Sequence, residues 1–113
     1  MHYQEAPYSE EKIIVCLSGS IIDVAIDIRP TSPTYLKIYS KILKDSNSSI
    51  IVPKGFAHGF QTLVNDVKLL YLHSAEYNIK YERRINPLDP KLNIQWPLSV
   101  KNISTLDQTA SFI

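Results

Sequence analysis

The sequence has one cysteine, almost no net charge and no long hydrophobic run, and each scarcity excludes something. Cys16 alone cannot close an internal disulfide. It sits inside the apolar run Ile13-Ile14-Val15-Cys16-Leu17, where a buried structural thiol is expected rather than a reactive one. The formal net charge of +1 gives no field to gather nucleic acid or an anionic lipid surface. No stretch approaches the roughly 20 apolar residues that span a bilayer. The first residues carry no basic segment followed by an apolar run, so no secretory signal is read there. Internal repeats and low-complexity segments are absent too. The expectation is a soluble cytoplasmic protein, and 113 residues suit one domain, 1–113.

What is present is β-rich. The composition is 44% hydrophobic and 20% charged, a globular balance. Lys12 to Leu17 reads as a strand ending at Ser18-Gly19-Ser20. Ile21 to Ile28 follows and stops at Arg29-Pro30-Thr31-Ser32-Pro33. Tyr35 to Leu43 ends at Lys44-Asp45-Ser46-Asn47-Ser48, and Ile50-Ile51-Val52 ends at Pro53-Lys54-Gly55. Phe60 to Val64 turns at Asn65-Asp66, and Val67 to Ser74 closes the series. Short strands with turns at roughly eight-to-twelve-residue spacing predict a sandwich or barrel.

Alternation places Val15 and Leu17, then Ile22, Val24, Ile26 and Ile28, on common faces. The opposite face of the second strand holds Asp23, Ala25 and Asp27, which fits either solvent or a polar barrel interior. Beyond Tyr77 the pattern fades. Asn78 to Arg84 reads as a helical turn or an extended loop. Asn86 to Pro97, with three prolines, reads as irregular, and the tail is expected to pack Trp96, Leu98 and Ile103 on the barrel.

Two histidine segments stand out as chemistry. Pro53-Lys54-Gly55-Phe56-Ala57-His58 has the form P-x-G-x-x-H, a turn that delivers a histidine into the mouth of a β-barrel. His2-Tyr3-Gln4 stands where a metal-binding cupin barrel carries H-x-H. A divalent metal wants three or four strong ligands. Gln4 in place of the second histidine disfavours a metal, although His2, His58 and a carboxylate remain available.

The segments M-H-Y-Q at 1–4, K at 12, D-V-A-I-D-I-R at 23–29, S-P-T at 32–34, P-K-G-F-A-H-G-F at 53–60, L-Y at 70–71, E-Y at 76–77, Y-E-R-R-I at 81–85 and D-P-K-L-N-I-Q-W-P-L at 89–98 run in one order. Together they resemble the dTDP-4-dehydrorhamnose 3,5-epimerase family, metal-independent members of the cupin superfamily, over essentially the whole chain. The resemblance implies an all-β cupin jelly-roll barrel with an irregular C-terminal segment. It also implies a homodimer and no cofactor. The family carries a further N-terminal stretch before its H-x-Q motif, including an arginine–glycine pair and substrate-holding side chains. The sequence begins at Met1, so the expectation is a barrel lacking that stretch.

The implied substrate is dTDP-4-keto-6-deoxy-D-glucose, whose C4 ketone acidifies the C3 and C5 protons. The implied catalytic set is His2 as general base, Asp107 as its dyad partner, Lys12 facing the enolate oxygen and Tyr71 as acid on the opposite ring face. Asp107 matches with Leu106 where the family has a basic residue, and a solvated tail aspartate is the alternative. Implied substrate-binding residues are Gln4, Asp23, His58, Tyr77 (stacking on thymine) and Glu82. His73 matches nothing and reads as structural or exposed. A second expectation is a catalytically impaired cupin that binds a nucleotide sugar or serves a structural role, because few cations (Lys12, Arg83 and Arg84 among them) remain for phosphate.

Overall fold

A computed structural model describes residues 1–46 and 48–113. Asn47, one of the turn residues expected after the third predicted strand, lies outside the described residues. The elements are β1 His2–Gln4, β2 Lys12–Ser18, β3 Ser20–Asp27, β4 Ile38–Lys44, β5 Ser49–Val52, β6 Phe56–Thr62, β7 Lys68–His73, β8 Glu82–Arg84 and α1 Thr105–Gln108. They form a five-stranded sheet, β4-β3-β6-β1-β8, facing a three-stranded one, β5-β2-β7. All recorded pairings are antiparallel.

The expected strand series is present, with shifts that have local causes. β6 begins at Phe56, four residues before the expected Phe60, because Gly55 turns the chain at φ +80 and the strand starts at once. A Cβ at Gly55 would lie 2.6 Å from Arg29 Cγ, so the turn requires glycine. β4 begins at Ile38 rather than Tyr35. Residues 28–37 instead fold over Asp27, whose buried carboxylate takes the Arg29 guanidinium and the Ser32 and Thr34 hydroxyls.

On β2 the inward residues are Ile14 and Cys16, fully buried, while Val15 and Leu17 face outward. Cys16 is the buried free thiol expected. β3 is buried on both faces, which blurs its period. Ile21 and Ala25 join Ile14, Cys16, Leu43 and Val52 in the cluster between the sheets. Val24 and Ile26 join Met1, Ala57, Ile85 and Leu92 on the far side of the five-stranded sheet. Asp23 and Asp27 are fully buried, so their face is interior and not solvated.

The chain after β8 covers that far side. Trp96 and Ile94 pack on the outer cluster, and Trp96 Nε1 donates to Pro87 O at 3.0 Å. Leu98 is half exposed, but its backbone is held by both ends of the Gln61 amide. Residues 85–104 contain no helix or strand, as their prolines predicted. The short β8, which pairs with β1, was not distinguished from loop in the sequence.

Candidate active site

Register builds the site. β1 lies between β6 and β8, so His2 stands opposite His58 on one side and Arg84 on the other, and Gln4 stands opposite Glu82. Successive side chains alternate faces. Met1 and Tyr3 therefore go to the outer cluster, while His2 and Gln4 face the barrel interior. On the other sheet Lys12 pairs with His73, and Ile14 with Tyr71. The two sheets enclose a cavity of about 740 Å³ whose wall includes His2, Lys12, His58, Tyr71, Glu82 and Asp107. That size suits a small organic ligand.

Asp107 reaches His2 because the tail is tied down. Asn86 Nδ2 donates to Gln108 O and Ala110 O, and Asp89 Oδ2 accepts from Ile113 N at 2.7 Å. Ser104 caps α1, accepting from Asp107 N and donating to Asp107 Oδ2 at 2.7 Å. Ser104 is thus the N-cap, and its two bonds leave Asp107 Oδ1 pointing at His2 Nε2, 2.5 Å away. A carboxylate can only accept there, so the ring proton is on Nε2. Nδ1 faces Glu82 Oε1 at 3.2 Å, a contact that is a hydrogen bond only when that nitrogen is protonated as well. Burial holds the His2 ring below its usual pKa, with the Asp107 hydrogen bond pulling the other way. Burial opposes ionisation of Asp107, yet the Ser104 and His2 hydrogen bonds keep its carboxyl below the usual value.

Glu82 accepts from the Tyr77 hydroxyl at 3.0 Å and from Arg84 Nη2 at 3.2 Å. Burial works against its charge, but those two partners hold it low. Tyr77 itself is largely exposed at the rim, its ring free for stacking.

Across the cavity, Tyr71 sits edge-on to His58, with ring centroids 6.0 Å apart, and stacked on His73 at 5.6 Å. Burial, with the charge of Asp23 adding to it, pushes the Tyr71 phenol well above its ordinary range, so at neutral pH it is a proton donor. His58 Nε2 is 2.8 Å from Asp23 Oδ2, both buried. Asp23 is not in the cavity wall and reaches it only through His58. Lys12 is buried, with Nζ 3.4 Å from Glu10 Oε1.

Gln4 also lines the cavity, but its amide is committed. It donates to Tyr8 O and Glu76 O and accepts from Asn78 N, which fixes the loop that carries Tyr77. The sequence reading did not place three neighbours here: it offered Arg84 only as a cation for phosphate, read His73 as structural or exposed, and did not single out Glu10. Arg84 contacts Glu82 and Asp107, Glu10 contacts Lys12, and His73 lines the cavity and contacts Glu10 at 2.9 Å. Glu10 and Lys12, two residues apart at a strand start, gave the one local signal. Among the described residues, no three His, Cys, Asp or Glu side chains converge as metal ligands.

Comparison with known proteins points to one family, and the relatives include both 3,5-epimerases and 3-epimerases. The family model described as dTDP-4-dehydrorhamnose 3,5-epimerase matches residues 1–113. A dTDP-4-dehydrorhamnose 3,5-epimerase of Mycobacterium tuberculosis is 42% identical over 99 residues, covering 87% of this chain and 49% of that protein. The crystal structure of the Bacillus anthracis 3,5-epimerase with TDP and PPi bound superposes with TM-score 0.94 at 34% identity, covering 99% of this chain and 65% of that one. The Legionella pneumophila enzyme in complex with dTDP-4-keto-L-rhamnose gives TM-score 0.90 at 37% identity, covering 98% and 60%. This chain thus spans about half the length of the curated relatives it matches. With its cupin jelly-roll barrel and a match that runs from the first residue to the last, the chain belongs to the dTDP-4-dehydrorhamnose 3,5-epimerase family.

Proposed function

We propose that the chain carries the proton-transfer centre of an epimerase that inverts C3 and C5 of dTDP-4-keto-6-deoxy-D-glucose. The observation behind this is one cavity shared by a histidine–aspartate pair, His2 and Asp107, and a protonated tyrosine, Tyr71. The C4 ketone lets a proton leave C3 or C5 as an enolate. His2, its Nε2 proton held by Asp107, accepts that proton at Nδ1. Glu82 must yield that nitrogen to substrate. Lys12 supplies positive charge to the enolate oxygen in a partly dry site. Tyr71 returns a proton from the opposite face, and exchange with solvent then removes the proton from His2 and restores the Tyr71 phenol before the second carbon reacts. Tyr77 stacks on the thymine, Gln4 holds the loop beneath it, and His58, set by Asp23, hydrogen-bonds to the sugar. No step calls for a cofactor. Deuterium uptake from solvent at C3 and C5 of the substrate, followed by NMR, tests the reading.

The same reading puts the chain in the cytoplasm as one cupin domain, away from nucleic acid and membrane, serving rhamnose synthesis for surface polysaccharide such as lipopolysaccharide O-antigen. No helix among the described residues is long and apolar enough to cross a membrane. A homodimer is supported by the outer face of the three-stranded sheet. There Leu17, Ile51, Leu70 and Leu72 are exposed side by side. Light scattering on the purified chain tests it.

One observation favours the impaired reading, in which the chain binds a nucleotide sugar without turning it over or serves a structural role. A pyrophosphate needs cations, and of the two lysines in the cavity wall Lys12 is already paired with Glu10, leaving Lys101. Binding of dTDP without deuterium uptake is the outcome that would select it.

A further inference from the structure

Arg84, read in the sequence only as a cation that could meet phosphate, has no role in the proposed mechanism. Cross-strand register puts it beside His2. Its Nη2 lies 3.2 Å from each oxygen of Glu82, and its Nη1 lies 3.1 Å from Asp107 Oδ1. Nη1 is also 3.3 Å from His2 Nε2. Both nitrogens are donors once Asp107 has fixed the ring proton, so they converge on the same Oδ1 and do not bond to each other.

The arrangement has a chemical purpose. An imidazole with a carboxylate at each nitrogen is set up to become an imidazolium, because opposite charges nearby favour the charged form. A protonated His2 cannot take a proton from carbon. The groups that face His2 are Glu82 and Arg84 from β8, Asp107 from α1, His58 from β6, and the Met1 amino group on its own strand. Among these side chains Arg84 is the one whose charge is permanent and positive. It touches both carboxylates at once, which a guanidinium fork can do and a point charge cannot.

We propose that Arg84 is a positioning residue that holds His2 in its neutral, proton-accepting form by taking up the charge of the two carboxylates flanking the ring. It acts through Glu82 and Asp107 and touches no reacting atom. The Coulomb effect of Arg84 on the ring has the required sign, since it works against protonation.

The inference rests on His2 being the base, and its test is separable from a test of activity. The chain has three histidines. Long-range 1H–15N NMR of histidine-labelled protein therefore resolves each ring, with His58→Gln and His73→Gln providing assignments. The His2 titration midpoint is expected to move to higher pH in Arg84→Gln and Arg84→Met, with the His73 midpoint unmoved. Two neutral replacements are used so that a folding defect in one leaves the other. Arg84→Lys is expected to bring the midpoint part of the way back. A His2 midpoint unchanged or lowered in the folded neutral variants overturns the proposal, as does a lysine variant no different from them. A chain that fails to exchange substrate protons would still give this titration, so loss of the epimerase reading and loss of the Arg84 role are told apart.

Discussion

Asp107 Oδ1 sits 2.5 Å from His2 Nε2, although the two residues lie 105 positions apart. The first strand and the one helix among the described residues thus meet at the candidate base. Asp107→Asn keeps the shape but replaces an acceptor-only carboxylate with a neutral amide that can also donate, so the ring proton is no longer fixed. It is expected to lower epimerisation by roughly 10²–10⁴-fold, measured as the initial rate of deuterium uptake, with the circular dichroism spectrum unchanged.

Tyr71→Phe removes the donor on the opposite side. Product formation should fall about 100-fold or more, while exchange at C3, which needs only His2, continues. Equal loss of both would argue that Tyr71 is a structural residue of the β2–β7 pair.

The pH profile follows from the same two groups. Burial lowers the His2 pKa, so the ring is neutral and active above a midpoint that lies below the ordinary histidine value of about 6.5, and activity falls as pH drops through it. Tyr71 is shifted upward, so its phenol stays protonated beyond the ordinary tyrosine value of about 10. The rate should rise through weakly acidic pH and then stay level across neutral and mildly alkaline pH. A fall between pH 7 and 9 would contradict the assignment of Tyr71 as the acid.

Asp27 governs acid stability. The Arg29 guanidinium, then the Ser32 and Thr34 hydroxyls, hold its carboxyl well below the ordinary range. A depressed folded pKa contributes stability that is present above the unfolded value of about 3.9 and lost as pH falls below it. Glu82 and Asp107 have the same sign. Urea midpoints should therefore drop on going from pH 6 to pH 3. Asp27→Asn should cost about 2 kcal/mol at pH 7 and flatten that drop.

Much of the barrel was legible because β-branched runs alternated with Gly, Pro, Asn and Asp turns, and P-x-G-x-x-H announced which way His58 would point. The inward face of β2 was harder. Every residue from Ile13 to Leu17 is apolar, so pattern could not say that Ile14 and Cys16 go in. The three-residue strands β1 and β8 carry too few positions to show a period, and they exist because they pair with each other. Arg84 and His73 entered the site through that kind of pairing, one beside His2 and the other beside Lys12. No local pattern encodes which residues a register will bring opposite each other. The buried tie from Asn86 and Asp89 to the tail, which brings Asp107 home, is equally non-local.

The most direct test of the account is to incubate the chain with dTDP-4-keto-6-deoxy-D-glucose in deuterium oxide and follow the C3 and C5 proton signals by NMR, with His2→Ala alongside. The account predicts loss of both signals with the wild-type chain and retention with His2→Ala. Retention of both signals by the folded wild-type chain would contradict it.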